Sequence, residues 1–219
     1  MAFDFWPLSG SGEKIPVRNL YAVGWNYAEH NVELGRDAGV PIVVFQKSSA
    51  GLIGDGDSLQ YPQNSQDLQY EGELVVLIEK DGDFIPRERA MEHVWGYAAG
   101  IDFTLRDVQK EAKAKGQPWF ASKNFRGAAA VGPFKRLNSG LSNETLRLTV
   151  NGVVRQEAKL SRMANDVPSL IAKLSENLTL LRGDIIFTGT PAGVGPVQPG
   201  DLVVCEISSL PLLSIRISA

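Results

Sequence analysis

Apolar residues along this chain fall into short runs bounded by glycine, proline or polar residues, and long amphipathic stretches are rare. Runs of this length and composition are typical of β-strands. They predict strands at 19–24, 41–46, 74–78, 97–101, 184–189, 201–207 and 212–217, with loops and short strands over 48–69. Because few helices separate these runs, the pattern predicts a mostly antiparallel or mixed β architecture.

A β-hairpin is predicted between residues 146 and 155. Residues 146–150 alternate apolar and polar side chains, Asn151-Gly152 follows, and 153–155 resumes the strand pattern. Asn-Gly is the strongest short-range hairpin signal because both residues tolerate the positive φ that a type I′ turn requires. We therefore expect a type I′ turn here.

Three short helices are predicted. Residues 87–97 follow Pro86, residues 104–115 end at Gly116, and residues 166–177 begin with Asp166 as a cap and carry Pro168 in the first turn.

Composition limits the function classes. The chain has 219 residues, 43% hydrophobic and 21% charged, which predicts one globular domain over 1–219. A net charge of -3 offers no basic surface for nucleic acid or an anionic membrane, so a small-molecule partner is expected. The single cysteine, Cys205, is expected in the core, and the absence of a leader or membrane-length apolar segment predicts a cytoplasmic protein.

The candidate chemistry begins at Glu71-Gly72-Glu73, directly before the apolar run 74–78. If that run is a buried strand, both carboxylates lie on one face and require a cationic partner. Asp102, at the end of the run 97–101, can bring a third carboxylate, and such an all-oxygen site suits Mg²⁺ or Mn²⁺. The alternative is that Glu71 and Glu73 face solvent on an edge strand.

Six motifs follow one another along the chain: GWNYAEH, YEGELVVLI, GIDFTLRDVQ, KGQPWFASKNF, NGVVRQE and GDIIFTGTPAGVGP. In this order they resemble the fumarylacetoacetate hydrolase family, most closely its short acylpyruvate hydrolase members. The resemblance begins after about the first 16 residues, so 1–16 is expected to be an N-terminal extension. It implies a mixed β-roll with short peripheral helices, a homodimer, and a divalent metal held by Glu71, Glu73 and Asp102.

The resemblance also implies roles for other residues. Arg106, Gln109 and Lys123 would contact substrate oxygens, and Thr190 would bind the substrate carboxylate. Arg106 and Gln109 are three residues apart and therefore share a helical face, whereas Asp107 points elsewhere.

His30 and Glu33 are one turn apart if 27–34 is helical, so the carboxylate can orient the imidazole as a base that takes a proton from water. In the family this segment is a lid over the site. His93, in the outer helix 87–97, is interpreted as structural.

The implied activity is hydrolysis of an acylpyruvate, such as fumarylpyruvate or acetylpyruvate, to pyruvate and a small acid. The same residues also suit decarboxylation or keto-enol tautomerisation of oxaloacetate. A third hypothesis is a β-roll without activity, in which the ion is only a structural clip. The cofactor is expected to be Mg²⁺ or Mn²⁺, with Ca²⁺ as a looser fit.

Overall fold

A computed structural model describes residues 4–33, 41–137, 141 and 143–219. Its strands are Leu8–Ser9 (β1), Leu20–Gly24 (β2), Val43–Lys47 (β3), Leu52–Ile53 (β4), Ser58–Gln60 (β5), Leu68–Tyr70 (β6), Gly72–Ile78 (β7), Val94–Asp102 (β8), Thr104–Leu105 (β9), Ala129–Val131 (β10), Phe134–Lys135 (β11), Thr145–Val150 (β12), Val153–Lys159 (β13), Ile185–Phe187 (β14), Gly195–Pro196 (β15), Leu202–Ile207 (β16) and Leu213–Ser218 (β17). Its α-helices are Ala28–Glu33 (α1), Arg106–Ala114 (α2), Phe120–Lys123 (α3) and Val167–Ser175 (α4), and short 3-10 helices cover Ser49–Gly51, Arg87–His93 and Leu160–Arg162.

The largest sheet is built around the antiparallel pair β7 and β8. Its strand order is β1-β11-β8-β7-β14-β2-β3, and β10 adds β4 at one side of β8. Strand β14 is antiparallel to β7 but parallel to β2, so the sheet is mixed.

A second sheet, ordered β13-β12-β16-β17-β5, covers one face of the first. The two sheets meet closely, because a Cβ added to Gly72 in β7 would lie 3.0 Å from the Leu148 side chain in β12. A small sheet of β15, β6 and β9 lies beside them. The result is a rolled β structure with its helices on the outside.

Strand β7 is apolar throughout because both of its faces are buried. Leu74 and Val76 belong to the core between the two sheets, whereas Val75 and Leu77 belong to a second core on the opposite face. Burial on both faces gives a continuous apolar run instead of alternation. None of the helices in the described ranges is long and apolar enough to cross a bilayer.

Several local predictions are confirmed. Asn151 and Gly152 have φ of 52° and 78°, as a type I′ turn requires, and β12 pairs with β13. Asp166 caps α4, because its side chain accepts a hydrogen bond from the amide of Ser169, and Pro168 lies in the first turn of the helix. Cys205 is buried in the core between the sheets.

The predicted helix over 87–97 is wrong in its last four residues, 94–97. Only Arg87–His93 is helical, as a 3-10 helix, and β8 begins at Val94. Trp95 and Tyr97 are strand-forming aromatic residues that are almost fully buried, so pairing with β7 outweighs the helical propensity of the preceding residues. The predicted helix over 104–115 likewise begins later, at Arg106, because Thr104–Leu105 pairs with β6.

Candidate metal centre and active site

Three carboxylates meet where β7 begins and β8 ends. Glu71 directly precedes β7, Glu73 is its second residue, and Asp102 is the last residue of β8. One ligand oxygen from each lies within 4.8 Å of the others, and the three residues are 6%, 2% and 0% exposed. The structure therefore brings together the residues predicted as metal ligands and buries them, so the solvent-facing alternative does not describe them.

Two glycines permit this close approach. Gly100 pairs with Glu73, and a Cβ at Gly100 would lie only 2.4 Å from the Val75 side chain. The amide of Gly72 donates to Oε1 of Gln156 at 2.9 Å, which anchors the start of β7 between the two glutamates. The glycine of the Glu-Gly-Glu motif is thus needed for packing against the second sheet.

The surroundings of Glu73 disfavour its charged form. Burial, together with the charges of Asp102 and Glu71, raises its pKa well above the usual range of a glutamate. Its Oε2 accepts a hydrogen bond from the amide of Gly189 at 2.7 Å. A cation placed among the three carboxylates would remove this repulsion.

Lys123, the last residue of α3, points its ammonium into the carboxylate cluster. Nζ donates to Glu71 Oε2 at 2.7 Å, to Asp102 Oδ2 at 2.8 Å and to Thr104 Oγ1 at 2.7 Å. Burial opposes the charged form, but the two neighbouring carboxylates outweigh it and raise the pKa of Lys123 above its ordinary value. The side chain is therefore a fixed ammonium in a buried site.

Arg106 and Gln109 share one face of α2, as predicted. The Arg106 guanidinium donates to Glu71, to Gln109 Oε1 at 2.8 Å and to Gln69 Oε1 at 2.8 Å. Asp107 points away and accepts hydrogen bonds from Ser65 and Gln66. Because a guanidinium has five N–H groups, Arg106 keeps two beyond these three bonds for a ligand.

Thr190 lies on the loop after β14 and lines the same space as Glu71 and Lys123. Its hydroxyl accepts a hydrogen bond from Nε2 of Gln156 at 2.8 Å, and the same amide donates to the carbonyl of Pro191. Gln156 is 1% exposed although it lies in the outer strand β13. The second sheet thereby fixes the loop that carries Thr190.

Sequence reasoning missed Gln156 and Lys47. Lys47 ends β3, and its Nζ donates to Asp102 Oδ1 at 2.5 Å and to the carbonyl of Lys123 at 2.8 Å. Burial lowers the pKa of Lys47, and the Asp102 charge only partly opposes that effect. Gln156 lies in the motif NGVVRQE, which could have pointed to it, but it was given no role. Lys47 lies in none of the six motifs, and a lysine ending a strand resembles a solvent-facing position.

The predicted His30 and Glu33 lie on α1, which confirms the helix, but their side chains are outside the described part of the structure. Their proposed acid-base pairing therefore stays a prediction. His93 is buried, and its Nδ1 lies 2.9 Å from the carbonyl oxygen of Lys80. That contact agrees with its interpretation as a structural residue.

Aromatic side chains form a wall over the carboxylates. Trp119 meets Trp25 and Phe45 edge to face, with ring centroids 5.9 Å and 6.0 Å apart. The space between this wall and the carboxylates is about 30 Å³, close to the ~30 Å³ share of one water molecule in the liquid. Phe45, Trp119 and Lys123 also line an adjoining cavity of about 660 Å³.

The donor set fits a divalent cation. Three buried carboxylates from separate segments supply only oxygen ligands, which suits Mg²⁺ or Mn²⁺. Lys47, Lys123 and Arg106 contact Asp102 and Glu71 from the sides and partly offset the negative charge of the cluster.

Comparison with known proteins agrees with this geometry. The family model described as "Fumarylacetoacetate (FAA) hydrolase C-terminal" matches residues 19–218. The chain belongs to the fumarylacetoacetate hydrolase family. The crystal structure of fumarylpyruvate hydrolase from Pseudomonas aeruginosa, in complex with Mn²⁺ and pyruvate, is similar to it with a TM-score of 0.95 and 36% identity, covering 100% of this chain and 97% of that one. These two matches confirm the predicted fold, a mixed β-roll like that of the C-terminal domain of fumarylacetoacetate hydrolases.

Sequence relatives within the fumarylacetoacetate hydrolase family act on a different substrate. The mitochondrial oxaloacetate decarboxylase of Dictyostelium discoideum is 39% identical over 88% of this chain and 90% of its own. The mitochondrial oxaloacetate tautomerase of Mus musculus is 38% identical over 91% of each. The chain is therefore an enzyme of a family whose members' names span hydrolysis, tautomerisation and decarboxylation.

Proposed function

We propose that this protein is a metal-dependent acylpyruvate hydrolase that cleaves fumarylpyruvate or acetylpyruvate into pyruvate and a small carboxylic acid. The observation that carries the proposal is the buried cluster in which Lys123 joins Glu71 and Asp102. A purely structural ion would need the carboxylates but not a charged lysine and arginine directed into the same space. The similar fumarylpyruvate hydrolase, with its Mn²⁺ and pyruvate, supports the same choice.

Glu71, Glu73 and Asp102 would hold the metal, either Mg²⁺ or Mn²⁺. When bound, the ion supplies a Lewis acid that stabilises negative charge on the pyruvate half of the substrate. Arg106 and Thr190 bind the substrate carboxylate, using the two spare N–H groups of the guanidinium and the threonine hydroxyl.

Lys123 and Gln109 stabilise the charge that develops on the distal acyl oxygen during attack by water. Nζ of Lys123 donates its three N–H groups to Glu71, Asp102 and Thr104, so it would act on the oxyanion through its charge or by redirecting one of these bonds. In a buried site this fixed charge stabilises an oxyanion more strongly than it would in water. Gln109 is 3% exposed and is oriented by Arg106 and by Lys113, whose Nζ donates to its Oε1 at 3.0 Å.

His30, oriented by Glu33, acts as the base in this proposal. It takes a proton from water as the water oxygen bonds to the distal acyl carbon. The carbon-carbon bond then breaks, the acid leaves, and the pyruvate carbon receives the proton from the imidazole. The position of both residues on α1, one helical turn apart, supports this pairing.

A second candidate is tautomerisation or decarboxylation of oxaloacetate. It is favoured by the curated relatives at 39% and 38% identity, which carry those names. These reactions also develop enolate charge on a 2-oxo acid, so the same residues serve them. They need no attacking water, and His30 would then only move a proton.

Both candidates are tested by incubating purified protein with Mn²⁺ or Mg²⁺ and with fumarylpyruvate, acetylpyruvate or oxaloacetate. Loss of enol absorbance measures consumption, and product analysis separates the reactions. We expect pyruvate and a second acid in equal amounts from an acylpyruvate. Consumption of oxaloacetate alone would favour the second candidate, and no consumption would contradict both.

We also propose that the protein works as a homodimer, as the family resemblance implies. Sedimentation equilibrium should give twice the 23.8 kDa mass of the chain. A monomer at micromolar concentration would contradict this.

A further inference from the structure

Lys47 is a buried cation that the proposed reaction does not use. Its side chain is 1% exposed and lies at the end of β3, an edge strand of the large sheet. Its Nζ donates to Asp102 Oδ1 at 2.5 Å and to the main-chain carbonyl of Lys123 at 2.8 Å. Three separate segments therefore meet at one ammonium group.

These bonds close a ring with Lys123. The Lys123 ammonium donates to the other oxygen of Asp102, so Asp102 lies between two lysines. Lys123 is held at both ends, its carbonyl by Lys47 and its ammonium by Asp102. Because α3 is only four residues long, its own helical bonds contribute little to fixing Lys123.

We propose that Lys47 is a positioning residue, which holds the Lys123 ammonium in place beside Glu71 and Asp102, at the edge of the substrate space. The inference rests on the role given to Lys123 in the proposed function. Among the described residues that line the space over the carboxylates, Lys123 is present and Lys47 is not. Lys47 also lines an adjoining cavity of about 660 Å³ together with Lys123, but its Nζ is directed to Asp102 and to the Lys123 carbonyl, so its action is assigned to these two contacts.

Packing alone does not require a lysine at this position. A buried ion pair carries a large desolvation cost, and well-packed apolar residues of similar volume are often equally stable. Lys135, by contrast, donates to the carbonyl of Ser209 at the surface, away from the site, and serves as a matched control.

The positive charge of Lys47 distinguishes a positioning role from a purely structural one in a measurable way. Lys47 repels any divalent cation held by Asp102, so its removal should leave metal binding as tight as before or tighter. Loss of its hydrogen bond to the Lys123 carbonyl should nevertheless slow turnover. A lysine that merely supported the fold would weaken metal binding and turnover together.

The test uses Lys47→Met, Lys47→Gln, Lys47→Arg and Lys135→Met in the full chain. Mn²⁺ affinity is measured by calorimetry without substrate, and kcat and KM are measured at saturating Mn²⁺. We expect Lys47→Met and Lys47→Gln to lose about 10-fold to 100-fold in kcat, the range seen for residues that orient functional groups. Their KM should change by less than threefold and their Mn²⁺ dissociation constant should stay the same or fall, while Lys47→Arg recovers most of kcat and Lys135→Met behaves as wild type.

Two results would overturn the proposal: a kcat within twofold of wild type in both neutral variants, or a kcat loss fully explained by weaker Mn²⁺ binding. If Lys47→Met does not fold, Lys47→Gln decides, since it keeps one donor and is assayed with Mn²⁺ present to stabilise the native state.

A readout independent of turnover separates this inference from the proposed function. Deuterium uptake of the peptide covering 119–126 should increase in Lys47→Met and stay unchanged in Lys135→Met. If wild type consumes none of the acids, the proposed function fails, and the exchange result still decides whether Lys47 holds α3 in place. Unchanged uptake in Lys47→Met would contradict the positioning role.

Discussion

Gln156 and Thr190 are joined across the two sheets: Nε2 of Gln156 donates to the Thr190 hydroxyl at 2.8 Å although 34 residues separate them. Oε1 of the same side chain accepts a hydrogen bond from the amide of Gly72, which lies between Glu71 and Glu73. One buried amide thus connects the metal-ligand segment with the loop proposed to bind the substrate carboxylate.

Replacing Gln156 should therefore weaken substrate binding more than chemistry. In Gln156→Met the three bonds to Gly72, Thr190 and Pro191 are lost, and each is worth about 1 kcal/mol. We expect KM to rise about 10-fold with a smaller change in kcat, because the loss of about 1.4 kcal/mol of binding free energy gives that factor. Steady-state kinetics measure both, and an unchanged KM would contradict the role of Gln156.

Glu73 should be essential for metal retention. Glu73→Gln removes a ligand charge from the buried triad, so Mn²⁺ binding by calorimetry and turnover should be lost together. Asp107→Asn is the matched control, since Asp107 bonds Ser65 and Gln66 away from the site. Full activity in Glu73→Gln would refute the proposed metal centre.

His30→Ala should separate chemistry from metal binding. If His30 activates water, the variant keeps its Mn²⁺ affinity but loses roughly 100-fold or more in kcat, the usual contribution of a general base. Val32→Ala, an exposed change on the same helix α1, should leave kcat unaltered. Equal turnover of His30→Ala and wild type would remove His30 from the mechanism.

The hairpin turn offers a clean stability test. Gly152 has φ of 78° and nothing within 4 Å of an added Cβ, so Gly152→Ala changes only backbone strain. We expect a loss of about 1 kcal/mol in the free energy of unfolding. Gly12→Ala, also in open space but without a positive φ, should be neutral or slightly stabilising. Equal denaturation midpoints for the two variants would contradict the strain argument.

Cys205 should be inert in the native protein. Burial raises the pKa of its thiol to about 12, so iodoacetamide at pH 8 should modify it only after unfolding.

The same pKa shift fixes the sign of a pH effect. An unfolded thiol ionises near pH ~8.5 while the native one keeps its proton, so the native state binds more protons between that pH and about 12. Its contribution to stability therefore falls as pH rises through this window, by up to about 1.4 kcal/mol per unit. Comparing the pH dependence of unfolding of wild type and Cys205→Ala isolates this term, and parallel curves would contradict it.

The sequence pattern correctly predicted those elements that depend only on residues near one another in the chain. The Asn151-Gly152 turn, the Asp166 cap and the buried run behind Glu73 all follow from neighbouring residues. The predicted end of the helix over 87–97 was wrong because long-range pairing with β7 decides where β8 begins. Lys47 and Gln156 were missed for the same reason, since their burial depends on partners 34 to 84 residues away.

The parallel pairing of β2 with β14 has a consequence for biosynthesis. Leu20 emerges from the ribosome early, yet its strand partner Ile185 is made 165 residues later. Contacts of such large sequence separation are slow to form and carry a high loop-closure entropy. Because Thr190 lies beyond β14, the candidate site cannot be completed until the chain through Thr190 has left the ribosome, and activity should appear only after that point.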